Sequence, residues 1–419
     1  MLVERMDKKG AGLANIGKRH LAVQGAHPGD EVEGTVTKTR RGPILTSITW
    51  TKRAERVEPF CPHFGECGGC VFQDMPYEKQ LIEKRQLVQD NFPGISVHEV
   101  IPSPTQHYRN RMDFAFFPGG IGMHKRGAWH SYVDLNECEI FSTKAKIILQ
   151  IIKKWQESNS LSSYDVKTQK GLLRYAVVRE SKANNTVLLT ITTTETIDDK
   201  LLLELWEKIK NNVTSLYTSI QDKQADLSIG ELRHVIGETH IKEELLGEEF
   251  SIGPGSFFQT NTVQAEKLFN RLREIVDEIK PEIVWDLYAG VGTIARLINA
   301  KSIHCVEEDK EAVRIGKETC PENVTFYEGS VENELIVLPD PGLIIVDPPR
   351  SGMHPKVRAF LKKVKAPILY VSCNPTTLAS DCNDLDRKIE RIELFDLFPH
   401  TMHVECIAVL GMPTVTPQK

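Results

Sequence analysis

Short apolar runs separated by amphipathic stretches dominate residues 246–419. Five of these runs predict strands, at 283–287, 303–307, 343–346, 368–371 and 406–410. Because the residues between the runs follow a helical period, the pattern predicts a parallel sheet covered by helices on both faces. We therefore expect a doubly wound, Rossmann-like α/β domain over residues 246–419.

The first 245 residues follow two other patterns. Short stretches broken by glycine turns fill residues 1–52 and predict a small β-barrel. Residues 53–245 begin with a cysteine-rich loop and continue through an amphipathic helix at 76–91, with proline at its start. They then mix strands and helices, as in an α+β domain. We expect three domains, with helix 76–91 packing on the last one.

The overall composition is that of an ordinary globular protein, with 40% hydrophobic and 26% charged residues. No apolar run approaches the roughly 18 residues of a membrane span, and the first residues lack the apolar core of a signal peptide. We therefore expect a cytoplasmic protein without a membrane partner.

Charge is unevenly distributed along the chain. The net charge is −5, yet residues 1–60 hold 11 Lys and Arg against 7 Asp and Glu, a net of +4. A basic module joined to an acidic body is compatible with local phosphate contacts. Lys38, Arg40 and Arg41 lie on a predicted turn and are candidates for such contacts, although a solvated turn explains them equally well.

Nine cysteines in a chain expected to be cytoplasmic favour metal binding or catalysis over disulfides. Four of them have a spacing close to that of plant-type iron–sulfur sites: Cys61, Cys67, Cys70 and Cys138. A structural zinc more often shows two Cys-x2-Cys pairs, so the spacing favours iron–sulfur over zinc, and an unliganded loop is the third interpretation. The cysteines on apolar or helical patterns are expected in the core: Cys305, Cys320, Cys382 and Cys406.

A glycine turn follows the strand predicted at 283–287. Glycines at a strand-to-helix turn, here Gly290 and Gly292, allow the backbone to approach a ligand closely. The next strand ends at Glu307, where a carboxylate suits the two hydroxyls of a ribose, although a helix-cap role is the alternative. The third glycine of the dinucleotide fingerprint is missing, so the turn favours S-adenosylmethionine over NAD.

Three further residues carry candidate chemistry at strand ends. Cys373 follows the strand at 368–371 and precedes a proline-started helix, where partial positive charge favours a thiolate; a buried structural cysteine is the alternative. Asp347 is followed by two prolines, which make its carboxylate rigid at the sheet edge. Glu405 begins the last strand and is a candidate general base, unless it is only a surface residue.

These motifs resemble, in residues and in order, those of the RNA uracil-C5 methyltransferase family, which makes 5-methyluridine. The matching segments are Gly255-Ser-Phe-Phe-Gln259-Thr-Asn261, Asp286-Leu-Tyr-x-Gly290-x-Gly292, Asp347-Pro-Pro-Arg350, Ser372-Cys-Asn-Pro375 and His400-Thr-x-His403-Val-Glu405. The resemblance is strong over residues 246–419 and extends to the cysteine loop. Residues 1–52 resemble, more loosely, the TRAM-type OB module of these enzymes.

The resemblance implies a methyl donor, a cluster and an RNA substrate. It assigns Cys373 as the nucleophile that adds to C6 of uracil and Glu405 as the base that removes the C5 proton. It implies a [4Fe–4S] cluster on the four spaced cysteines, in a structural or RNA-orienting role, because methyl transfer needs no electron. The S-adenosylmethionine pocket it implies contains Gln259, Tyr288, Gly290, Thr293, Glu307, Ser330 and Asp347. Ala289, Thr293 and Ser330 depart from residues common in the family, which alters cofactor contacts rather than the reaction.

The substrate is expected to be structured RNA, with transfer RNA favoured over ribosomal RNA because the chain is compact. Arg109 and Arg111 are candidates to hold its phosphates, although structural ion pairs explain them equally well. No protein partner is implied, and we expect a monomer.

Three alternative functions fit the sequence less well. A catalytically silent iron–sulfur RNA-binding protein would not need both Cys373 and Glu405. An iron–sulfur redox enzyme would need a dinucleotide or flavin fingerprint. A DNA cytosine-C5 methyltransferase usually carries its cysteine after a proline, early in the domain.

Overall fold

In the computed structural model, the described residues are 1–16, 19–39, 42–335 and 337–413. The chain divides into two compact units. Unit 1 consists of Met1–Lys52, Tyr77–Ser103 and Gln264–Lys419, and unit 2 consists of Arg53–Pro76 and Pro104–Val263. Unit 1 is thus assembled from three separate stretches of chain. The three-domain division expected from the sequence stays a prediction.

The first stretch of unit 1 contains five strands: β1 (Val3–Met6), β2 (Gly12–Ile16), β3 (Arg19–Val23), β4 (Glu31–Thr39) and β5 (Gly42–Lys52). The first three form an antiparallel sheet and the last two form a hairpin. Both contribute to one small core of Val3, Ala14, Leu21, Val23, Ala26, Val32 and Leu45. The OB-type barrel expected here stays a prediction.

The second stretch of unit 1 holds helix α1 (Tyr77–Gln89) and strand β6 (Val97–Ile101). Proline at position 76 suits a helix start, because its fixed φ is already helical. The buried residues of α1 are Gln80, Lys84 and Val88, which are four residues apart and so lie on one face of the helix. Two of the three are polar, and this face therefore needs polar partners.

Unit 2 is built on a sheet of seven strands with two helices. Its elements are β7 (Arg111–Phe117), β8 (Gly120–Lys125), β9 (Ala128–Asp134), α2 (Ala145–Ser158), β10 (Leu173–Glu180), β11 (Val187–Thr193), α3 (Asp199–Ile209), β12 (Ser215–Ile220), β13 (Glu231–Gly237), β14 (Ile241–Leu245) and β15 (Glu248–Ile252). The sheet order is β13-β12-β11-β10-β7-β8-β9, and β14 and β15 form a separate hairpin. Apolar residues of α2 and α3, among them the fully buried Trp155, share one core with the sheet.

The third stretch of unit 1 supplies most of an eight-stranded sheet. Its elements are α4 (Thr262–Ile279, of which the first two residues belong to unit 2), β16 (Ile283–Leu287), α5 (Thr293–Leu297), β17 (Ser302–Glu307), α6 (Lys310–Thr319), β18 (Val324–Glu328), α7 (Val331–Glu334), β19 (Leu343–Val346), α8 (Pro355–Leu361), β20 (Ile368–Ser372), α9 (Pro375–Leu385), β21 (Arg387–Phe395) and β22 (Glu405–Pro413). The strand order is β18-β17-β16-β19-β20-β22-β21-β6.

The five predicted strands are present, but the sheet is not wholly parallel. Strands β16 to β20 are parallel, whereas β22 is antiparallel to both of its neighbours, β20 and β21. The expectation of an all-parallel sheet was wrong here because β21 and β22 are joined by a loop of nine residues, 396–404, rather than by a crossover helix. Strand order reverses between β16 and β19, the position where such sheets bind ligands.

Of the helices in the described ranges, none is both long enough and apolar enough to cross a membrane.

Candidate active site

Strand pairing brings the candidate nucleophile and base to one edge of the unit 1 sheet. Ser372 pairs with Cys406 across β20 and β22, so Cys373 and Glu405, the next residue at each end, are neighbours. Val346 pairs with Tyr370, which places Asp347 at the same edge. The sheet thus gathers a thiol and two carboxyl groups that are far apart in the sequence.

The Cys373 thiol is half-buried, and its surroundings disfavour its charged form. Burial, together with the negative charges of Glu405 and Asp347, raises the pKa of Cys373 to about 11, while the Arg350 cation acts in the opposite direction. In the free protein the thiol is therefore mainly protonated at neutral pH.

Burial raises the pKa values of two carboxyl groups at this edge, Glu405 and Asp347. Glu405 is 4% exposed, and burial reinforced by the negative charge of Asp347 raises its pKa well above the usual range. Asp347 is half-buried, and burial raises its pKa to about 7. Raised carboxyl pKa values of this kind suit proton transfer near neutral pH.

Helix α9 presents Cys373 through its N-cap. The Asn374 side chain accepts a hydrogen bond from Thr376 N–H at 3.2 Å and donates to Arg350 O at 3.0 Å. Asn374 N–H in turn donates to Ser372 Oγ at 3.1 Å. The residue after the thiol is therefore fixed to both β20 and the segment that carries Arg350.

The glycine turn after β16 is shaped to approach a ligand. Tyr288, Gly290 and Gly292 have φ values of 65°, 56° and 78°, in the left-handed region that favours glycine. A Cβ added at Gly290 would meet nothing within 4 Å, so open space adjoins the turn there. Glu307 Oε2 accepts from Gly290 N–H at 2.9 Å, which holds the carboxylate at the turn.

The other predicted cofactor residues occupy two places. Thr293 begins α5 and Ser330 directly precedes α7, so both lie in unit 1 at the same sheet edge as the glycine turn. Gln259 lies in unit 2, where its backbone oxygen accepts a hydrogen bond from Asn110 Nδ2 at 2.8 Å.

The four spaced cysteines line one cavity in unit 2. It holds about 400 Å³ of space not filled by atoms, its mouth included, and its lining includes Cys61, Cys67, Cys70 and Cys138. The cysteine loop is attached to β8 by Gly68 N–H, which donates to His124 O at 2.9 Å. All four thiols are free of disulfides, and sequence positions up to 77 residues apart meet around one space.

Burial disfavours the ionised, thiolate form of each of these four cysteines. Burial raises the pKa of Cys70 and of Cys138 to about 12. It also raises the pKa values of Cys61 and Cys67. The negative charges of Cys61 and Cys67 raise the pKa of Cys70 further, and those of Cys61, Cys67 and Cys70 raise the pKa of Cys138. Within the described residues, no group of three His, Cys, Asp or Glu side chains is placed to hold a single metal ion.

The predicted RNA-contact residues fall in both units. Lys38 lies in β4, while Arg40 and Arg41 lie outside the described residues. Arg109 Nε donates to Arg111 O at 3.2 Å. The Arg111 guanidinium makes a two-pronged contact with Asp113, at 2.8 and 2.9 Å, which is the structural role that the sequence left open.

Sequence reasoning missed two features of the site. Arg350 was read only as part of a motif, yet it is the cation that acts on both Cys373 and Glu405. Its place directly after the rigid Asp-Pro-Pro segment was an available signal. The second feature is Lys84, which lies in α1 and is fully buried; no local pattern marks it.

Known proteins resemble this chain over nearly its whole length. Residues 340–412 match the tRNA (Uracil-5-)-methyltransferase family. The chain is 35% identical to an uncharacterized RNA methyltransferase of Nanoarchaeum equitans, over 99% of this chain and 93% of that protein. It is 34% identical to the tRNA (uracil(54)-C(5))-methyltransferase of Pyrococcus horikoshii, over 98% of this chain and 99% of that one.

A solved structure shows the same fold. The crystal structure of Pyrococcus abyssi tRNA (uracil-54, C5)-methyltransferase in complex with S-adenosyl-L-homocysteine matches with a TM-score of 0.82 and 30% identity, covering 98% of this chain and 99% of that one. Similarity at this level extends through both units rather than through the sheet edge alone. By its fold, its full-length relatives and the residues at that edge, the chain belongs to the RNA uracil-C5 methyltransferase family.

Proposed function

We propose that this protein methylates C5 of a uridine in structured RNA, with Cys373 as nucleophile and Glu405 as base. The observation that carries the proposal is the strand pairing that sets these two residues side by side. It does so at the edge of the sheet where the glycine turn and Glu307 also lie.

The chemistry explains why both groups are needed. C5 of uracil is a weak nucleophile until the Cys373 thiolate adds to C6, which breaks the C5–C6 double bond and places electron density on C5 and the C4 oxygen. S-adenosylmethionine supplies, when bound, the methyl group that C5 takes up. Glu405 then removes the C5 proton, the double bond forms again, and the thiolate leaves C6.

The glycine turn is the proposed site of S-adenosylmethionine. Gly290 offers open space for close approach, and the Glu307 carboxylate, held by Gly290 N–H, suits two ribose hydroxyls. The side chains proposed to complete the pocket are Gln259, Tyr288, Thr293, Ser330 and Asp347.

The nucleophile is tested by Cys373→Ala with RNA that contains 5-fluorouridine. Fluorine at C5 cannot be removed as a proton, so the wild-type protein should remain covalently attached to this RNA. Cys373→Ala should form no covalent complex and transfer no methyl group. Cys382→Ala, which removes a buried thiol within α9, is the matched control and should behave as wild type. Methyl transfer by Cys373→Ala would sink the mechanism.

The base is tested by Glu405→Gln, which keeps the shape of the side chain and removes its basicity. This variant should form the methylated adduct with ordinary RNA but release it slowly, so that a covalent species accumulates in a denaturing gel. Release at the wild-type rate would assign the base to another residue.

We also propose a [4Fe–4S] cluster held by Cys61, Cys67, Cys70 and Cys138. The support is that the four thiols line one cavity and have the spacing of iron–sulfur ligands. Bound iron would stabilise the thiolate forms, which burial otherwise disfavours. Iron and sulfide analysis of anaerobically purified protein should find both elements, and Cys67→Ala should lose them; zinc alone would refute the cluster.

The proposed substrate is transfer RNA, with uridine 54 as the target. The support is full-length similarity to Pyrococcus enzymes named for that uridine. RNA contacts are proposed for Lys38, Arg40, Arg41, Arg109 and Arg111, with the first 52 residues as a TRAM-type module. The target base has to leave its stack to reach the thiol. To decide between transfer RNA and ribosomal RNA as substrate, each unmodified RNA is incubated with the protein, and 5-methyluridine is then mapped by mass spectrometry. A cytoplasmic location and a monomeric state stay predictions.

A further inference from the structure

A fully buried lysine lies outside the proposed reaction centre. Lys84 of α1 and Asp396 have no exposed side-chain surface, and Lys84 Nζ donates to Asp396 Oδ1. Lysines are almost never buried to this degree unless they are paired, because an ammonium group loses its hydration. The proposed methyl transfer does not use Lys84, so its burial calls for another explanation.

The Lys84 ammonium is one of several groups of α1 that bind Asp396 and its surroundings. Lys84 Nζ also donates to Phe398 O at 2.9 Å. The second oxygen of Asp396 accepts from Tyr77 OH at 2.8 Å, and Tyr77 OH accepts from Ser103 N–H at 2.9 Å. Side chains of α1 therefore hold both oxygens of Asp396 and a nearby backbone carbonyl.

Gln80, one helical turn before Lys84, makes the next two contacts. His400 N–H donates to Gln80 Oε1 at 3.1 Å, and Gln80 Nε2 lies 3.3 Å from His400 Nδ1. The two residues are 1% and 3% exposed. His400 has a φ of 65°, which residues other than glycine seldom adopt. The glutamine thus supports the backbone where its conformation is unfavourable.

Apart from the bond from Ser103 N–H, these contacts join α1 to residues 396–404, called here the base loop. The base loop connects β21 to β22, and Glu405 is the first residue of β22. The side chains that hold it come from one face of α1, at positions 77, 80 and 84. Movement of the base loop would move the Glu405 carboxyl relative to the Cys373 thiol.

We propose that Tyr77, Gln80 and Lys84 are positioning residues that fix the base loop so that Glu405 reaches the C5 proton. The inference rests on the proposed function. A buried charge pair suits this task because separation would leave each charge without its partner and without water, which costs free energy. Proton removal requires the base within hydrogen-bond reach of its proton, so a small displacement should impair this step selectively.

Gln80→Met tests the proposal while leaving the charge pair in place. It removes both contacts to His400 and keeps the length of the side chain. Covalent complex formation with 5-fluorouridine RNA and S-adenosylmethionine binding should be unchanged, because Cys373 and the glycine turn are untouched. Release of the methylated adduct from ordinary RNA should slow by on the order of 100-fold. The adduct should therefore accumulate, so that kcat and the KM for RNA fall together while kcat/KM stays unchanged.

Gln89→Met is the matched control in the same helix. Gln89 Nε2 donates to Phe92 O at 2.9 Å and to Ile95 O at 2.8 Å, and neither residue belongs to the base loop. Equal slowing of release in the two variants would overturn the proposal. So would a parallel loss of adduct formation and release in Gln80→Met, because a general loss of stability affects every step.

A second variant keeps the proposal testable if Gln80→Met does not fold. The pair Lys84→Met with Asp396→Asn removes both charges together, which avoids leaving one buried and unpaired. It should form the adduct and release it slowly; normal release would overturn the proposal. If Glu405→Gln itself releases product normally, the assignment of the base is wrong. If Glu405→Gln traps the adduct and Gln80→Met does not, only the positioning role is wrong.

Discussion

At the scale of single residues, the charge state of the nucleophile decides the first proposed step. Only a thiolate adds to uracil, yet burial and two carboxyl groups raise the pKa of Cys373 to about 11. In the free protein the proposed nucleophile is therefore largely in the unreactive, protonated form at neutral pH. Arg350 is the cation placed to oppose this effect.

The raised pKa predicts how Cys373 responds to pH. Alkylation of Cys373 by iodoacetamide should accelerate throughout the neutral and mildly alkaline range, because each pH unit below the pKa raises the thiolate fraction about tenfold. Mass spectrometry of the peptide that contains Cys373, sampled over time at several pH values, measures the rate. A plateau near neutral pH would contradict the raised pKa.

Removal of the Arg350 guanidinium should shift the pH dependence of Cys373 alkylation. In Arg350→Met the pKa of Cys373 should rise further, so that alkylation at any given pH is slower than in the wild-type protein. Arg391→Met is the control, because Arg391 pairs with Glu393 at 2.9 Å and is not among the charges that shift the Cys373 pKa. Equal effects in the two variants would show that Arg350 does not tune the thiol.

The residues at the sheet edge could be found from sequence because each directly adjoins a predicted apolar strand. Neighbouring parallel strands bring their carboxyl ends together, and the pairing of β19 with β20 places Asp347 and Cys373 at one edge. Lys84 could not be found this way, because its partner Asp396 lies 312 positions away. A lysine on an amphipathic helix is usually solvated, and only the folded protein shows that this one is not.

At the scale of elements, helix α9 fixes Asn374, the residue that follows Cys373. Asn374 caps the helix, and it also donates a hydrogen bond to Arg350 O at 3.0 Å. One side chain therefore joins the start of α9 to the segment that carries the cation. Loss of this cap should affect both stability and the thiol.

Asn374→Ala should lower the free energy of unfolding by about 0.5–2 kcal/mol, as expected for a lost N-cap. It should also slow adduct formation with 5-fluorouridine RNA, because Cys373 and Arg350 lose their common support. Urea unfolding and a gel assay measure the two effects. Asp198→Ala removes the N-cap of α3, whose side chain accepts from Lys200 N–H at 2.9 Å. It should lower stability without slowing the adduct, and equal slowing would contradict the role of Asn374.

Central strands were easier to predict than edge strands. The bounds predicted at 283–287 and 343–346 are those of β16 and β19, because both strands are covered on two faces and read as continuous apolar runs. Strand β18 was missed, since it lies at the sheet edge and only Phe326 of its five residues is buried. Strand β6 was missed as a member of this sheet, because Val97 pairs with Ile392 of β21, 295 positions further along the chain.

At the scale of the whole molecule, unit 1 keeps ionisable carboxyl groups in its interior. Asp286 has no exposed surface. Burial, followed by the charges of Asp347 and Glu307, raises its pKa from 3.8 to about 8. The unfolded chain ionises this group near 3.8, whereas the folded chain does so only near 8. Its contribution to stability is therefore complete below about pH 4 and is lost as pH rises toward about 8.

Asp286→Asn should make the stability of the protein less dependent on pH. Without bound S-adenosylmethionine, the free energy of unfolding of the wild-type protein should fall more steeply from about pH 5 to about pH 8 than that of the variant. Urea unfolding at several pH values makes the comparison. Asp277→Asn, at an exposed position in α4, is the control and should follow the wild type. Parallel curves for wild type and Asp286→Asn would contradict the raised pKa.

The distance in sequence between Lys84 and Asp396 affects when the two residues can pair during synthesis of the chain. At a synthesis rate of roughly 5–20 residues per second, the 312 positions between them correspond to about 15–60 seconds on the ribosome. Throughout that interval Lys84 has no Asp396 carboxylate to pair with. Burial of its unpaired ammonium would be unfavourable, so this face of α1 has to stay hydrated. Unit 2, whose last stretch ends at Val263, has all its residues by then. The order of synthesis therefore favours unit 2, which carries the four spaced cysteines, as the first to fold, and the proposed active-site edge of unit 1 forms last.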